Sequence, residues 1–186
     1  MFCVYVMLPK ELFGPGKTIY ATDPKRFIEA ALKAFPHLDR EFVTQICFEH
    51  PTRFNTLLPN FDVLLHTAQR THRSVEWILA NVTYNESKSI HDAWAHHVDQ
   101  YLKNGTGGSE VLPDMVKFCK WSFAPVIVKT DFALSIGAPD YIGEPYYLIE
   151  GTHRVSYLAR LYELGRIRAE ATLPLIEVTW RFPPNK

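Results

Sequence analysis

The apolar positions of this chain follow two rhythms. Continuous runs rich in β-branched and aromatic residues predict buried strands, and recurrence at three- and four-residue spacing predicts amphipathic helices. Residues 2–8 are an unbroken apolar run and predict a strand. Phe13-Gly14-Pro15-Gly16-Lys17-Thr18 is turn material. Asp23 and Pro24 then open a helix as N-cap and first helical residue. Its apolar face is Phe27, Ile28, Ala31, Leu32 and Phe35, and Pro36 ends it. Phe42, Val43, Ile46 and Cys47 predict a short helix that stops near Pro51. Phe61, Leu64, Leu65 and Ala68 predict another, and residues 74–82 fit helix and strand alike. The clearest period of this half is Ile90, Ala93, Trp94, His97, Val98, Tyr101 and Leu102, stopped by Asn104-Gly105.

Gly105-Thr106-Gly107-Gly108-Ser109 reads as a linker. Beyond it the rhythm changes. A short helix falls within 113–121, strands are expected over 125–129, 146–150 and 174–180, and a helix over 152–164 ends at Gly165. The fold class is therefore α+β, a small mixed sheet with packed helices. The expected division is a mostly helical part over 1–104, with one amino-terminal strand, and a mixed part over 110–186.

Composition narrows the class. The 186 residues are 47% hydrophobic, 22% charged and 13% aromatic, as in a ring-rich globular protein. Zero formal net charge removes whole-molecule attraction to DNA or to an anionic membrane. Cys3, Cys47 and Cys119 are odd in number and lack metal-ligand spacing, so reduced thiols in a cytoplasmic protein are expected. Pro9, Lys10 and Glu11 cut the first apolar run short of a secretory signal, and no apolar run reaches membrane-spanning length.

The richest stretch in chemistry is 147–158, where Glu150-Gly151-Thr152-His153-Arg154 joins an apolar strand to a helix. A helix start carries unpaired N–H groups and a partial positive charge, which suits an anion. Arg154 in that first turn opposes the macrodipole unless an anion or a carboxylate such as Glu150 compensates. His153 can donate to phosphate or transfer a proton, and Thr152 can cap the helix. Glu150 can hold Mg²⁺ or orient Arg154, and Gly151 serves a tight turn with close ligand approach. Other motifs are weaker. The turn at Gly14–Thr18 lacks the Walker glycine where Glu11 stands and has no helix straight after it. His91 and His96, five apart, fall on different helix faces, while His97 shares the apolar stripe. His66, Arg70, His72 and Arg73 read as a solvated basic helix face, with contact to nucleic acid as the lesser reading.

In this order of elements the carboxy-terminal third resembles the ParB/sulfiredoxin-like superfamily. The matching run is Ala124-Pro125-Val126-Ile127-Val128, the strand ending at Glu150, then Gly151-Thr152-His153-Arg154, a helix stopped at Gly165, and Leu173 to Val178. The resemblance implies nucleotide or other phosphate bound by the turn amides, His153 and Arg154. It implies Glu150, His153 and Arg154 as catalytic candidates, Gly151 and Thr152 as further binding residues, and Mg²⁺ at Glu150. Thr152 stands where sulfiredoxins carry their cysteine, so sulfinic acid reduction is not expected. His153 stands where partition proteins usually carry a second arginine, and the helix-turn-helix of those proteins is not expected here. The match is nearer to the free-serine-kinase type, whose further acidic residue has Glu11 as its candidate here. The expected activities are phosphoryl transfer to a small molecule or nuclease-type phosphodiester cleavage. The alternative is a nucleotide-switched module binding a protein partner, a second copy or nucleic acid through the helical part, with no membrane contact. Residues 2–8 then supply the first strand of the sheet with an inserted helical cap, or the two parts are separate domains.

Overall fold

The computed structural model describes residues 23–50, 56–57, 60–83, 88–135 and 144–181. The strand expected over 2–8, the turn with Lys17, Glu11 and Cys3 lie outside them. Helix α1 (Pro24–Ala34) begins as its sequence dictates, with the Asp23 carboxylate accepting from the Lys25 N–H and Phe27, Ile28 and Ala31 buried. A short α2 (Arg40–Phe42) runs straight into a π-helix, Val43–Glu49, whose wider turn is closed by the His50 N–H on the Gln45 carbonyl at 3.0 Å.

The helix expected at residues 61–68 does not form. Asp62 instead folds a turn, taking the Leu64 N–H on its carboxylate at 2.8 Å and the His66 N–H on its carbonyl at 2.9 Å. A short acidic side chain that bonds its own backbone competes with the helix. Leu64 and Leu65 stay 62% and 54% exposed, so their helical spacing is coincidental. Strand β1 (His66–Ser74) starts there, and Arg70, His72 and Arg73 therefore lie on a strand. The ambiguous 74–82 stretch resolves into Ser74 capping α3 (Val75–Asn81), followed by β2 (Val82–Thr83).

Helices α4 (Lys88–Asn104) and α5 (Leu112–Phe118) precede β3 (Val126–Lys129), α6 (Thr130–Ser135) and β4 (Tyr146–Glu150). Then come α7 (Thr152–Glu163) and β5 (Thr172–Trp180). Among the described residues, five strands form one mixed sheet in the order β1-β5-β3-β4-β2. β1 and β2 come from before the 105–109 segment, the other three from after it, and β1 pairs antiparallel with β5 along its whole length. The fold is mixed α+β.

Strand alternation feeds two cores. Val126, Val128, Tyr147, Ile149, Ile176 and Val178 face α1, α2 and the π-helix. Ile127, Leu148, Leu173 and Leu175 face α3, α4, α5 and α7. The glycine-rich segment is docked, because the Ser109 N–H donates to the buried Tyr157 hydroxyl of α7 at 3.1 Å.

Candidate functional site

β4 ends at Glu150 inside the sheet, so the chain must turn sharply to send α7 back across the sheet face. Gly151 makes that turn at φ 112°. A Cβ there would stand 2.9 Å from the Pro125 Cβ and 3.1 Å from the Arg154 Nε, so the position requires glycine twice over. Gly151 is also the N-cap of α7, and it supplies no capping side chain. Its own N–H turns back to the Glu150 Oε1 at 3.0 Å, and its carbonyl accepts the Val155 N–H at 3.0 Å. The backbone N–H groups of His153 and Arg154 bond to no other described residue. This is the unpaired helix start the sequence predicts.

The two side chains of that turn go opposite ways. Arg154 points inward and is 4% exposed. Its Nη1 donates to the Phe123 carbonyl at 3.0 Å, and its Nη2 to the Gln45 Oε1 at 2.8 Å and the Glu150 Oε1 at 3.4 Å. Burial pushes its pKa down, and Glu150, Glu41 and Glu49 push it back up. The cation that opposes the α7 dipole is thus compensated from within the protein. Its Nε is buried and has no hydrogen-bond partner among the described residues, and it lies close enough to Gly151 that a Cβ there would stand 3.1 Å from it.

His153 points the other way and is half-buried. Its ring packs on Trp94 of α4 at 5.4 Å between centroids and on Tyr157 at 5.8 Å. Burial and the neighbouring Arg154 charge lower its pKa, Glu150 opposing, so the ring is neutral at pH 7. It makes no hydrogen bond to another described residue.

Thr152 is 8% exposed and is the first residue of α7, Gly151 holding the N-cap position. Glu150 is 9% exposed; besides Gly151 and Arg154, it has His50 within 3.9 Å of its second oxygen. A metal ion at Glu150 would sit against a guanidinium 3.4 Å from that carboxylate. Among the described residues no three His, Cys, Asp or Glu side chains group as a metal site. The Glu150 Oε1, already taken by the Gly151 N–H and the Arg154 Nη2, suits the orienting role toward Arg154.

Three residues of this site escape the sequence. Gln45 is 3% exposed and clamps the site by donating from Nε2 to the Ala124 carbonyl at 3.0 Å while accepting from Arg154. Glu41 accepts the Ala124 N–H at 2.6 Å and pairs with Arg70. His50 brings an imidazole to the exposed edge beside Glu150. Gln45 follows an apolar stripe at 42, 43, 46 and 47 and falls off it on an α-helical wheel; the π-helix turns it inward.

The other candidates disperse. His91 bonds the Ser156 hydroxyl at 2.8 Å, His96 bonds Gln100 at 2.9 Å, and His97 packs edge-on to Trp94. Ser156 also donates to the Thr152 carbonyl and is 2% exposed, which makes it a helix-internal hydroxyl. Arg70 pairs with Asp39 and Glu41, and Arg73 with Glu177. Burial pushes the Cys47 thiol up to about 12. No helix among the described residues is long and apolar enough to cross a membrane. No protein-family model matches the chain, and neither a curated protein nor a solved structure matches it.

Proposed function

We propose that this chain is a phosphate-binding protein of ParB/sulfiredoxin-like type, whose ligand, a nucleotide or a phosphorylated small molecule, sits at the amino end of α7. One observation carries the reading. α7 starts on a positive-φ glycine with no capping side chain, and beneath it the buried Arg154 presents an unpartnered Nε toward that same glycine. Unpaired amides above a buried cation make a seat for an anionic oxygen. In this reading Arg154 supplies field and position, Glu150 holds Arg154, and the half-buried, neutral His153 donates to the ligand.

Phosphoryl transfer is the chemistry these parts match, with His153 moving the proton; phosphodiester cleavage would use the same parts. A second reading, a non-catalytic module switched by its ligand and engaging a protein or nucleic acid, has its own support. Glu150 and Arg154 spend their hydrogen bonds on the protein, which suits a binding turn better than a reacting one. Mg²⁺ enters either reading on the ligand's phosphates rather than on Glu150.

The test is thermal unfolding with pyrophosphate, ATP and phosphoserine, each with and without Mg²⁺, on the unmodified chain and on His153→Ala. A ligand that binds only the folded state raises the melting temperature. Stabilisation weakened by the substitution supports the seat. A melting temperature unmoved by every phosphate compound at millimolar concentration overturns it. Product analysis after incubation with the binding nucleotide separates turnover from switching.

A further inference from the structure

We infer that His66 is a proton-operated latch on the turn that leads into β1: its neutral ring holds the turn closed, and a protonated ring releases it while the rest of the sheet stays paired. The latch is independent of the anion seat.

Residues 62–65 form the turn, and the Asp62 N–H donates to the His66 Nδ1 at 2.8 Å. An imidazole nitrogen that accepts a hydrogen bond carries no proton, so the ring is the Nε2–H tautomer. The Nε2 is buried and has no hydrogen-bond partner among the described residues. A second proton can go only to Nδ1. There it would set one N–H against another at 2.8 Å, so the protonated ring and the closed turn exclude each other.

The ring is 2% exposed, with Trp180 of β5 at 4.7 Å, Phe61 at 5.1 Å and Phe132 of α6 at 5.4 Å between centroids. Ionisable groups stand on each of these sides. On the turn itself the Asp62 carboxylate favours a charged ring, but it is bonded to the Leu64 N–H at 2.8 Å, and burial outweighs it. His37 donates from Nε2 to the Val63 carbonyl at 2.6 Å, a bond it can make in either charge state. Asp131, beside Phe132, pairs with Lys129 at 3.0 Å. Arg181, beside Trp180, is exposed and gives its backbone N–H to the Leu65 carbonyl at 2.9 Å.

Few bonds must break for the turn to open. The Asp62 carbonyl holds the Leu65 and His66 N–H groups, and the Leu65 carbonyl holds Arg181. Leu64 and Leu65 already stand in solvent, and Val63 is the one buried side chain among residues 62–65. The β3–β4 and β3–β5 pairings include none of these residues. Segments with so little apolar burial open locally, below the cost of global unfolding.

Amide hydrogen exchange at pH 7.5 and 5.5, corrected for the intrinsic pH dependence of exchange, tests this. The open turn takes its proton at about 6.5, so its population should rise about tenfold over that interval. The amides of Leu64, Leu65, His66 and Arg181 should speed up by that factor, and low urea should not accelerate them. The amides of β3 and β4, which need global unfolding, should respond to urea. His66→Asn offers the Asp62 N–H an acceptor that does not titrate, and it should abolish the acceleration. Turn amides that do not respond to pH, that follow the β3 and β4 amides in both pH and urea, or that still accelerate in His66→Asn overturn the latch. If that variant does not fold, the ring-nitrogen chemical shifts of His66 in the unmodified chain decide, since a protonated Nδ1 beneath protected turn amides overturns it equally.

Discussion

The Arg154 Nη2 lies 2.8 Å from the Gln45 Oε1, joining residues 109 positions apart in the chain. Through this contact the π-helix, the segment before β3 and the β4–α7 turn become one unit. Gln45 holds the Ala124 carbonyl, Arg154 holds the Phe123 carbonyl, and Glu41 holds the Ala124 N–H. Arg154→Met keeps the volume but leaves the buried Glu150 carboxylate without its cation. Breaking such a pair costs about 3–5 kcal/mol. Gln45→Leu should cost about 1–3 kcal/mol, since a charged donor loses its acceptor. Urea unfolding of both single variants and the double variant checks this. Strictly additive losses would mean that the two side chains act independently.

Gly151→Ala should destabilise by about 2 kcal/mol or more, because φ 112° is a conformation that L side chains rarely adopt. The new methyl would also press on Pro125, whose backbone cannot yield as a flexible side chain could. Gly165, at φ 64° with open space around it, is the internal control. Gly165→Ala should cost about 1 kcal/mol, from backbone strain alone. Equal losses at the two positions, read as shifts in urea midpoint, would refute the close approach at Gly151.

The elements flanking the site are legible because several local signals agree there. An apolar run, a glycine turn, a 3.6-residue period and a glycine stop define β4, Gly151 and α7. The same reasoning fails at 61–68, where the backbone bonds of one aspartate outweigh a helical spacing of leucines. It fails at β1 for a different reason. His-Thr-Ala-Gln-Arg-Thr-His-Arg-Ser shows no apolar alternation, because the strand is the outermost of the described strands and its polar residues pair with Glu177, Asp39 and Glu41. The inward turn of Arg154 was also beyond sequence, since its partners at 45 and 123 become neighbours only when the sheet assembles.

Stability should fall on acidification, and His66 should carry part of the fall. This imidazole is 2% exposed among the rings of Phe61, Phe132 and Trp180, and its Nδ1 accepts the Asp62 N–H at 2.8 Å. Burial lowers its pKa, and Asp62 only partly opposes this. Above the unfolded value of about 6.5 both states are neutral, and the stability is fully present. Below it the unfolded chain binds a proton that the folded chain resists, so stability is lost as pH falls. The partly buried His91 and His153 rings, lowered in the same direction, add to the slope. Urea midpoints between pH 7.5 and 5 should therefore drop, and less steeply in His66→Asn. An unchanged slope in that variant would show that His66 protonates freely in the folded protein.

A fragment of residues 110–186 should not fold alone. It holds β3, β4, β5 and α7, and so every residue of the matched motif, but it lacks what covers them. Without β1 the nine-residue edge of β5 is left open to pairing with other chains. Without α1 and the π-helix, the face bearing Val126, Val128, Tyr147, Ile149, Ile176 and Val178 meets water. Arg154 loses Gln45, and α7 loses the α4 contacts at Trp94 and Asp99, the latter paired with Arg160 at 3.0 Å. Burying that apolar face contributes about 25 cal/mol for each Å² removed from water, and the fragment has nothing to bury it against. Size-exclusion chromatography and near-ultraviolet circular dichroism should report an aggregated or loosely packed chain. A monomeric fragment with fixed tertiary signal would show instead that the amino-terminal helices dock onto a sheet that is already stable, and that the turn at Gly151 is shaped without them.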